Sequence, residues 1–250
     1  MLELYHCEPL GASANLLICL KEKGLTYKSH HIDILKLENH QPDYLKLAPQ
    51  GQVPVLVDEG KVFTDATFTL EYLVEKYPSP RLAPSDPSGW YDVQALFNQI
   101  DMPLSASLRL LGWNLVMLPS MSQAEKDDLR KRIAALPPRP QQSGWAQVTS
   151  DAEASEDQLE NARERVRGVA TRLEKILGAS PWLAGSDYSI ADIDAYAQMR
   201  TMPSLMPADI NEQKTPKLMK WLSVIENRPA VKAVLAMRKD GKDVYAPPGV

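Results

Sequence analysis

The rhythm of the chain changes near residue 80, and few folds accommodate the change. Upstream, short strand-like and helix-like stretches alternate; downstream, every patterned stretch has helical spacing. Between them lies Ser79-Pro80-Arg81-Leu82-Ala83-Pro84-Ser85-Asp86-Pro87, too rich in proline to continue either pattern. This order predicts an α+β protein: a four-stranded mixed sheet with helices, then an all-α domain. The expected boundaries are 1–80 for the first domain, 81–88 for the linker, 89–240 for the helical domain and 241–250 for a poorly ordered tail. A length of 250 residues suits two modest domains.

In the first domain, Leu2-Glu3-Leu4-Tyr5 alternates with period two and reads as a strand. Ser13 to Lys23 has helical spacing, with Leu16, Leu17 and Leu20 on one side, and stops at Gly24. Tyr27 to Ile34 is extended, and Asp43 to Leu47 is a helical turn before Pro49 and Gly51. Val53 to Asp58 is apolar and largely β-branched, and Glu59-Gly60 turns it into Lys61-Val62-Phe63. Thr64 to Glu75 is a helix closed by Tyr77-Pro78. The order βαβ, connection, ββα places helices on both faces of a mixed sheet.

In the second half, Trp90 to Leu118 is a long helix expected to bend or break near Pro103. Ser122 to Leu136 is amphipathic and opens with the capping-box spacing Ser122…Glu125. Residues 137–149 form a proline-rich loop, Asp157 to Leu177 a long amphipathic helix, and two or three shorter helices run on to about Lys239.

A net charge of −4 argues against nucleic acid, whose phosphates select a basic face. Dense charge runs such as Glu160 to Arg165 suit a solvated helix face. The two cysteines, Cys7 and Cys19, form neither a C-x-x-C motif nor a zinc spacing, so no metal is expected. The N-terminus reads as a strand rather than a secretory leader, and no apolar stretch has the ~18 residues that cross a bilayer. A soluble, cytoplasmic protein with no membrane partner is the expectation.

Two local patterns carry chemistry. Gln52-Val53-Pro54 opens a strand with a residue that cannot donate to the ladder. If the Val53-Pro54 bond is cis, the N–H and C=O of Val53 face outward and can pair with an extended peptide. An ordinary trans proline at a strand start is the alternative. One hairpin later, Thr64-Asp65-Ala66-Thr67 starts a helix. Its free N–H groups and dipole suit a carboxylate, and Asp65 suits an ammonium, unless Asp65 is a plain N-cap.

Together these patterns resemble the glutathione transferase superfamily, and the resemblance covers nearly the whole chain. It implies a thioredoxin-like first domain with Pro54 as the cis-proline and Val53 bonding the cysteinyl part of glutathione. Asp65 falls where the family binds the γ-glutamyl amino group. The next residue, usually a serine that holds the γ-glutamyl carboxylate, is Ala66 here; backbone N–H groups and the Thr67 hydroxyl stand in for it. Ser189-Ile190-Ala191-Asp192 resembles the capping box of the family's helical domain, a folding device. Asn227-Arg228-Pro229-Ala230-Val231 resembles its late helix start.

Glutathione transfer needs a thiolate, and a thiol of pKa about 8.5 is mostly protonated at neutral pH. Ser13, Asn15, Tyr5 and Cys7 are candidate activators. Ser13, after Pro9-Leu10-Gly11 at the helix start, is preferred, with Asn15 beside it; a non-catalytic N-cap serine is the alternative. Cys7 is too close to the first strand for a catalytic cysteine of the family, and Cys19 reads as packing.

Within the superfamily, Lys36-Leu37-Glu38-Asn39-His40, Gly112-Trp113, the proline-rich stretch 137–145 and Glu212-Gln213-Lys214-Thr215-Pro216 resemble the bacterial β-etherases of lignin breakdown. That resemblance implies cleavage of a β-aryl ether by glutathione thiolate. His40 and Gln52 would bind the glycyl carboxylate, and Asp101 would reach glutathione across a homodimer interface. The electrophile pocket between the domains would be lined by Trp113, Met117, Trp145 and Met202, with Met199 and Met206 nearby, unless these are core residues. Glutathione is thus the expected co-substrate and a small aromatic electrophile the expected partner. A glutaredoxin-like thiol transferase using Cys7 and a non-catalytic glutathione-binding protein are the rival readings.

Overall fold

The computed structural model describes residues 1–84, 86–136 and 154–237, apart from the side chains of residues 101–103. The expected loop at 137–149 and the expected tail after Asp240 lie outside the described residues.

The first domain contains β1 (Leu2–His6), α1 (Gly11–Glu22), β2 (Tyr27–His31), a 3₁₀ turn (Glu38–His40), α2 (Pro42–Leu47), β3 (Val55–Asp58), β4 (Lys61–Phe63) and α3 (Ala66–Lys76). The sheet order is β2-β1-β3-β4, with β1 and β2 parallel and the other pairs antiparallel. Alternation sorts the faces. Leu2, Leu4 and Leu56 pack under α1 and α3, while Tyr5, Val55 and Val57 pack with Tyr44 and Ala48 on the α2 side. The mixed sheet with helices on both faces is as the sequence implied.

Local chemistry sets the element ends. Gly24 (φ +63°) closes α1: Leu25 N–H returns to the Leu20 carbonyl at 3.0 Å and Gly24 N–H to that of Lys21 at 3.1 Å, a Schellman ending. Glu59 (φ +51°) and Gly60 (φ +82°) both have positive φ, as a two-residue hairpin with the twist of its strands requires. Leu37, at φ +59°, holds a left-handed conformation that costs a leucine about 1–3 kcal/mol. Its side chain is buried, and that burial holds it there.

The second domain comprises α4 (Pro87–Gly112), a π-helical turn (Trp113–Met117), α5 (Leu118–Ser120), α6 (Gln123–Ala134), α7 (Glu156–Ala179), α8 (Ile190–Met199), α9 (Met202–Leu205), α10 (Pro216–Glu226) and α11 (Pro229–Leu235). Two expectations are corrected. Helix α4 starts a turn early, with Asp86 capping Ser88 and Gly89, and runs through position 103 unbroken. Its irregularity comes at Trp113–Met117, where Asn114 Nδ2 bonds the Leu110 carbonyl at 2.8 Å and Asn114 Oδ1 accepts from Ala154 N–H at 3.1 Å. Four helices, not two or three, are described after α7, because Pro203 and Pro229 each begin a new one.

One apolar core joins the domains, and α1 lies in its middle. Every residue from Ser13 to Leu20 is buried. Leu16, Leu17, Ile18 and Leu20 share a cluster with β1, α3, α4, α7 and α8. Polar contacts key the helix in place. Asn15 Nδ2 donates to Asp194 Oδ1 of α8 at 2.5 Å, and Arg228 grips the Glu22 carboxylate at 2.5 and 3.0 Å. Lys23 Nζ donates to the Tyr77 and Pro80 carbonyls at 2.6 and 3.0 Å.

Asp192, in the first turn of α8, is wholly buried. Its carboxylate accepts from the N–H groups of Ser189 (3.0 Å) and Leu183 (3.0 Å), Trp221 Nε1 (2.9 Å) and Ser189 Oγ (3.3 Å). Burial nevertheless raises its pKa from 3.8 to about 6. The folded state therefore holds this proton more tightly than the unfolded state. That contribution to stability is full below the unfolded value of 3.8 and is lost as pH rises through about 6. In chemical denaturation, stability relative to Asp192→Asn should fall by about 2–3 kcal/mol across this window. A pH-independent difference would contradict the raised pKa.

Candidate functional site

Strand direction brings three separate segments together. Because β1 and β3 are antiparallel, Tyr5 near the end of β1 pairs with Val55 at the start of β3. Phe63, ending β4, pairs with Leu56. The loop from β1 into α1, the loop into β3 and the start of α3 therefore share one end of the sheet.

The Val53-Pro54 peptide bond is cis, and Val53 is half-buried. Among the described residues, neither its N–H nor its carbonyl has a hydrogen-bond partner. The loop around it is held from several sides. Tyr44 Oη donates to the Gln52 carbonyl at 2.5 Å and Asn39 Nδ2 to the Gly51 carbonyl at 2.8 Å. Gly51 has φ +71°, and a Cβ there would lie 3.0 Å from His40 Cε1. His40 is therefore packed against this loop rather than exposed in a loop of its own. Gln52 donates through Nε2 to Gln50 at 2.5 Å, while its Oε1 is buried without a partner.

Asp65 is the N-cap of α3, and its Oδ1 accepts from Phe68 N–H at 2.9 Å. It also presents its other oxygen at the exposed surface, with no partner among the described residues. The N-cap and ammonium-binding readings are compatible, since one oxygen serves each. Ala66 and Thr67 open the helix with free N–H groups.

At the start of α1 the N-cap is Leu10, not Ser13, and no side chain caps the helix. Ser13 is turned inward: its Oγ accepts from Cys7 N–H at 3.3 Å and lies 3.3 Å from Cys7 Sγ. Asn15 is engaged with Asp194, which makes it an interdomain contact. Gly11 and Ala12 are the less buried residues of this turn. Burial pushes the Cys7 thiol up in pKa, against the hydrogen bond from Ser13. Cys19 is fully buried and pushed up to about 12 by the same cause.

The expected electrophile liners separate. Met202 is 1% exposed, and it and its buried neighbours Met199 and Met206 all lie in the main core as packing residues. Trp113 and Met117 belong to a second cluster with Leu35, Leu37, Leu118, Leu129 and Ile133. Trp145 and the Asp101 side chain lie outside the described residues. Sequence reading missed Tyr44 and Asn39, whose contacts with the Gly51-Gln52 backbone are visible only in three dimensions.

The family follows from this arrangement and from comparison with known proteins. A model of the glutathione S-transferase N-terminal domain matches residues 13–76, and one of the C-terminal domain matches residues 122–229. The chain belongs to the glutathione S-transferase family. It is 30% identical over 244 residues to Protein LigF of Sphingobium sp. (strain NBRC 103272 / SYK-6), covering 95% of this chain and 94% of the relative. The crystal structure of beta-etherase LigF from Sphingobium sp. strain SYK-6 matches with a TM-score of 0.84 at 29% identity, covering 95% of this chain and 99% of that one. The fold is also similar to the glutathione transferase URE2P6 of Phanerochaete chrysosporium, solved in complex with oxidized glutathione. That match has a TM-score of 0.74 at 21% identity and covers 96% of this chain and 97% of the other.

The upward shift of Cys7 sets its reactivity. Its thiolate fraction at neutral pH lies below that of an ordinary exposed cysteine and grows only as pH rises past the usual thiol range. Alkylation of the native protein followed by peptide mapping should find Cys7 slower than a free thiol at neutral pH. Reaction as fast as that of an exposed cysteine would contradict the assignment.

Proposed function

We propose that this protein is a glutathione transferase whose glutathione thiolate cleaves a β-aryl ether of a lignin-derived aromatic. The likeness to a β-etherase across 95% of the chain supports the substrate class. The unpaired polar groups at the sheet end support glutathione as the co-substrate. The Val53 N–H and carbonyl meet its cysteinyl residue. The free Asp65 oxygen takes the γ-glutamyl ammonium, and the Ala66 and Thr67 N–H groups with the Thr67 hydroxyl take the γ-glutamyl carboxylate. His40 and Gln52 receive the glycyl carboxylate.

In this pose the sulfur faces the start of α1. The amide end of that helix stabilises a thiolate, and the Ser13 hydroxyl, 3.3 Å from Cys7 Sγ, is the side-chain donor that would turn from Cys7 to the bound sulfur. The thiol proton leaves to solvent and sulfur attacks the carbon bearing the aryl ether oxygen. A C–S bond forms as the C–O bond breaks, and the electron pair leaves on a phenolate that is then protonated. The gain comes from a lowered thiol pKa and from holding sulfur in line with the leaving group. Met117, half-buried beside α4, is assigned to the electrophile side. Phe68 and Tyr91, 70% and 72% exposed on α3 and α4, supply apolar surface for a homodimer. The Cys7 thiol-transferase reading is disfavoured by the raised pKa of that thiol.

Titration calorimetry with glutathione and phenol release from a model β-aryl ether test the reading together. Binding with turnover is expected, and Ser13→Ala should lower kcat about a hundredfold. Absence of binding at millimolar glutathione would sink the proposal; binding without turnover on any electrophile would favour a non-catalytic protein. Ala66→Ser would add a hydroxyl donor to the γ-glutamyl carboxylate and should tighten glutathione binding up to about tenfold in the same calorimetry. An unchanged Kd would mean that Thr67 and the helix amides already satisfy that group.

A further inference from the structure

The connection between β2 and α2 leaves the first domain before it returns to the site. Leu35 and Leu37 insert their side chains into a small cluster built by the second domain: Trp113 at the π-helical turn, Leu118 of α5, and Leu129 and Ile133 of α6. This cluster is separate from the main core. Arg132 of α6 adds a polar tie, donating from Nη1 to the Leu35 carbonyl at 2.8 Å.

The connection between this anchor and the site is stiff. Asp33 Oδ1 accepts from the Leu35 and Lys36 N–H groups, both at 3.1 Å, and Glu38 Oε2 accepts from Asp33 N–H at 2.7 Å. Leu37 then starts the 3₁₀ turn that carries Asn39 and His40, and its carbonyl accepts from His40 N–H at 2.9 Å. Asn39 bonds the Gly51 carbonyl, the His40 ring rests on Gly51, and Gly51 leads directly into Gln52. Each link is a short hydrogen bond or a tight packing contact, so a displacement at Leu37 is transmitted to His40 and Gln52. The groups for the γ-glutamyl end, at Asp65 to Thr67, belong to α3 and are outside this chain of contacts.

We propose that the α5–α6 end of the helical domain positions the glycyl-binding half of the glutathione site, with Leu37 as the positioning residue. The inference rests on the glutathione reading above and on the glycyl role of His40 and Gln52. It assigns the helical domain a part in selecting the thiol co-substrate: recognition of the glycine end depends on the α6 anchor, and recognition of the γ-glutamyl end does not.

Leu37→Gly tests it, because glycine adopts the left-handed backbone without strain while losing the anchoring side chain. The probes are glutathione and γ-glutamylcysteine, which lacks the glycine, each titrated calorimetrically into the full-length protein. Wild type should bind glutathione more tightly than γ-glutamylcysteine. Leu37→Gly should weaken glutathione about tenfold and leave γ-glutamylcysteine unchanged, and Leu37→Met should restore the preference. Arg132→Met, a change at the protein surface, should weaken glutathione about threefold with the same selectivity, and it decides the matter if Leu37→Gly does not fold. Equal loss for both ligands, or no loss for either, would overturn the proposal. Wild type binding both ligands equally would remove the glycyl assignment and this inference with it, while leaving glutathione binding intact. Wild type binding neither would overturn the glutathione reading itself.

Discussion

Helix α1 has no solvent-facing side along its middle, and the rest of the molecule is arranged around that fact. Eight consecutive residues, Ser13 to Leu20, are buried, with the sheet and α3 on one side and α8 and α11 on the other. A helix buried all round needs apolar partners on every face, so the two domains complete each other. Two polar groups of α1 are paired across the boundary: Asn15 with Asp194 and Glu22 with Arg228. Truncating one member of such a pair strands the other, which makes the domain arrangement specific as well as stable. In the proposed glutathione pose the N-terminus of α1 would face the thiolate, so the contacts that join the domains would also orient the chemistry.

Polar satisfaction separates structural groups from those held ready for a ligand. Asp192 is buried and accepts from four donors, the condition of a carboxylate that holds a fold together. Asp58 is similar, gathering Tyr72, Lys76 and Tyr77 to tie β3 to the end of α3. At the opposite end of the sheet the pattern reverses. The Val53 backbone, one oxygen of Asp65, the first amides of α3 and the buried Gln52 Oε1 have no partner among the described residues. Of these only Gln52 Oε1 is buried; the others face solvent and stand open to a ligand.

Much of this was readable in the chain because the signals are local. Gly24 ends α1 and Glu59-Gly60 turns the hairpin because their backbone conformations suit those residues, whatever surrounds them. Asp65 caps α3 and Ser122 caps α6 by contacts within one turn. Long-range packing accounts for what was misread. Pro103 looked like a break, yet α4 runs through it and widens instead at Asn114, whose side chain competes for the backbone and also holds Ala154. Met202 looked like a pocket liner until its neighbours were in place. For Ser13, preferred as the thiol activator, the alternative of an N-cap serine is not met: the helix starts at Gly11 with Leu10 as N-cap, and Ser13 turns toward Cys7.

The amino-acid sequence by itself determined the two-part architecture and most ends of the regular elements, and it marked Gln52-Val53-Pro54 as a strand opening while leaving its cis or trans state open. All of these follow from spacing, backbone preference and capping within a few residues. Only the tertiary structure decided which polar groups would be consumed in packing and which left for a ligand. That choice made Asn15 an interdomain bond, kept the Val53 backbone unpaired and anchored the His40 limb on α6 through Leu37. The reason is physical: pairing and burial depend on groups far apart in the chain, and no local pattern records which of them will meet.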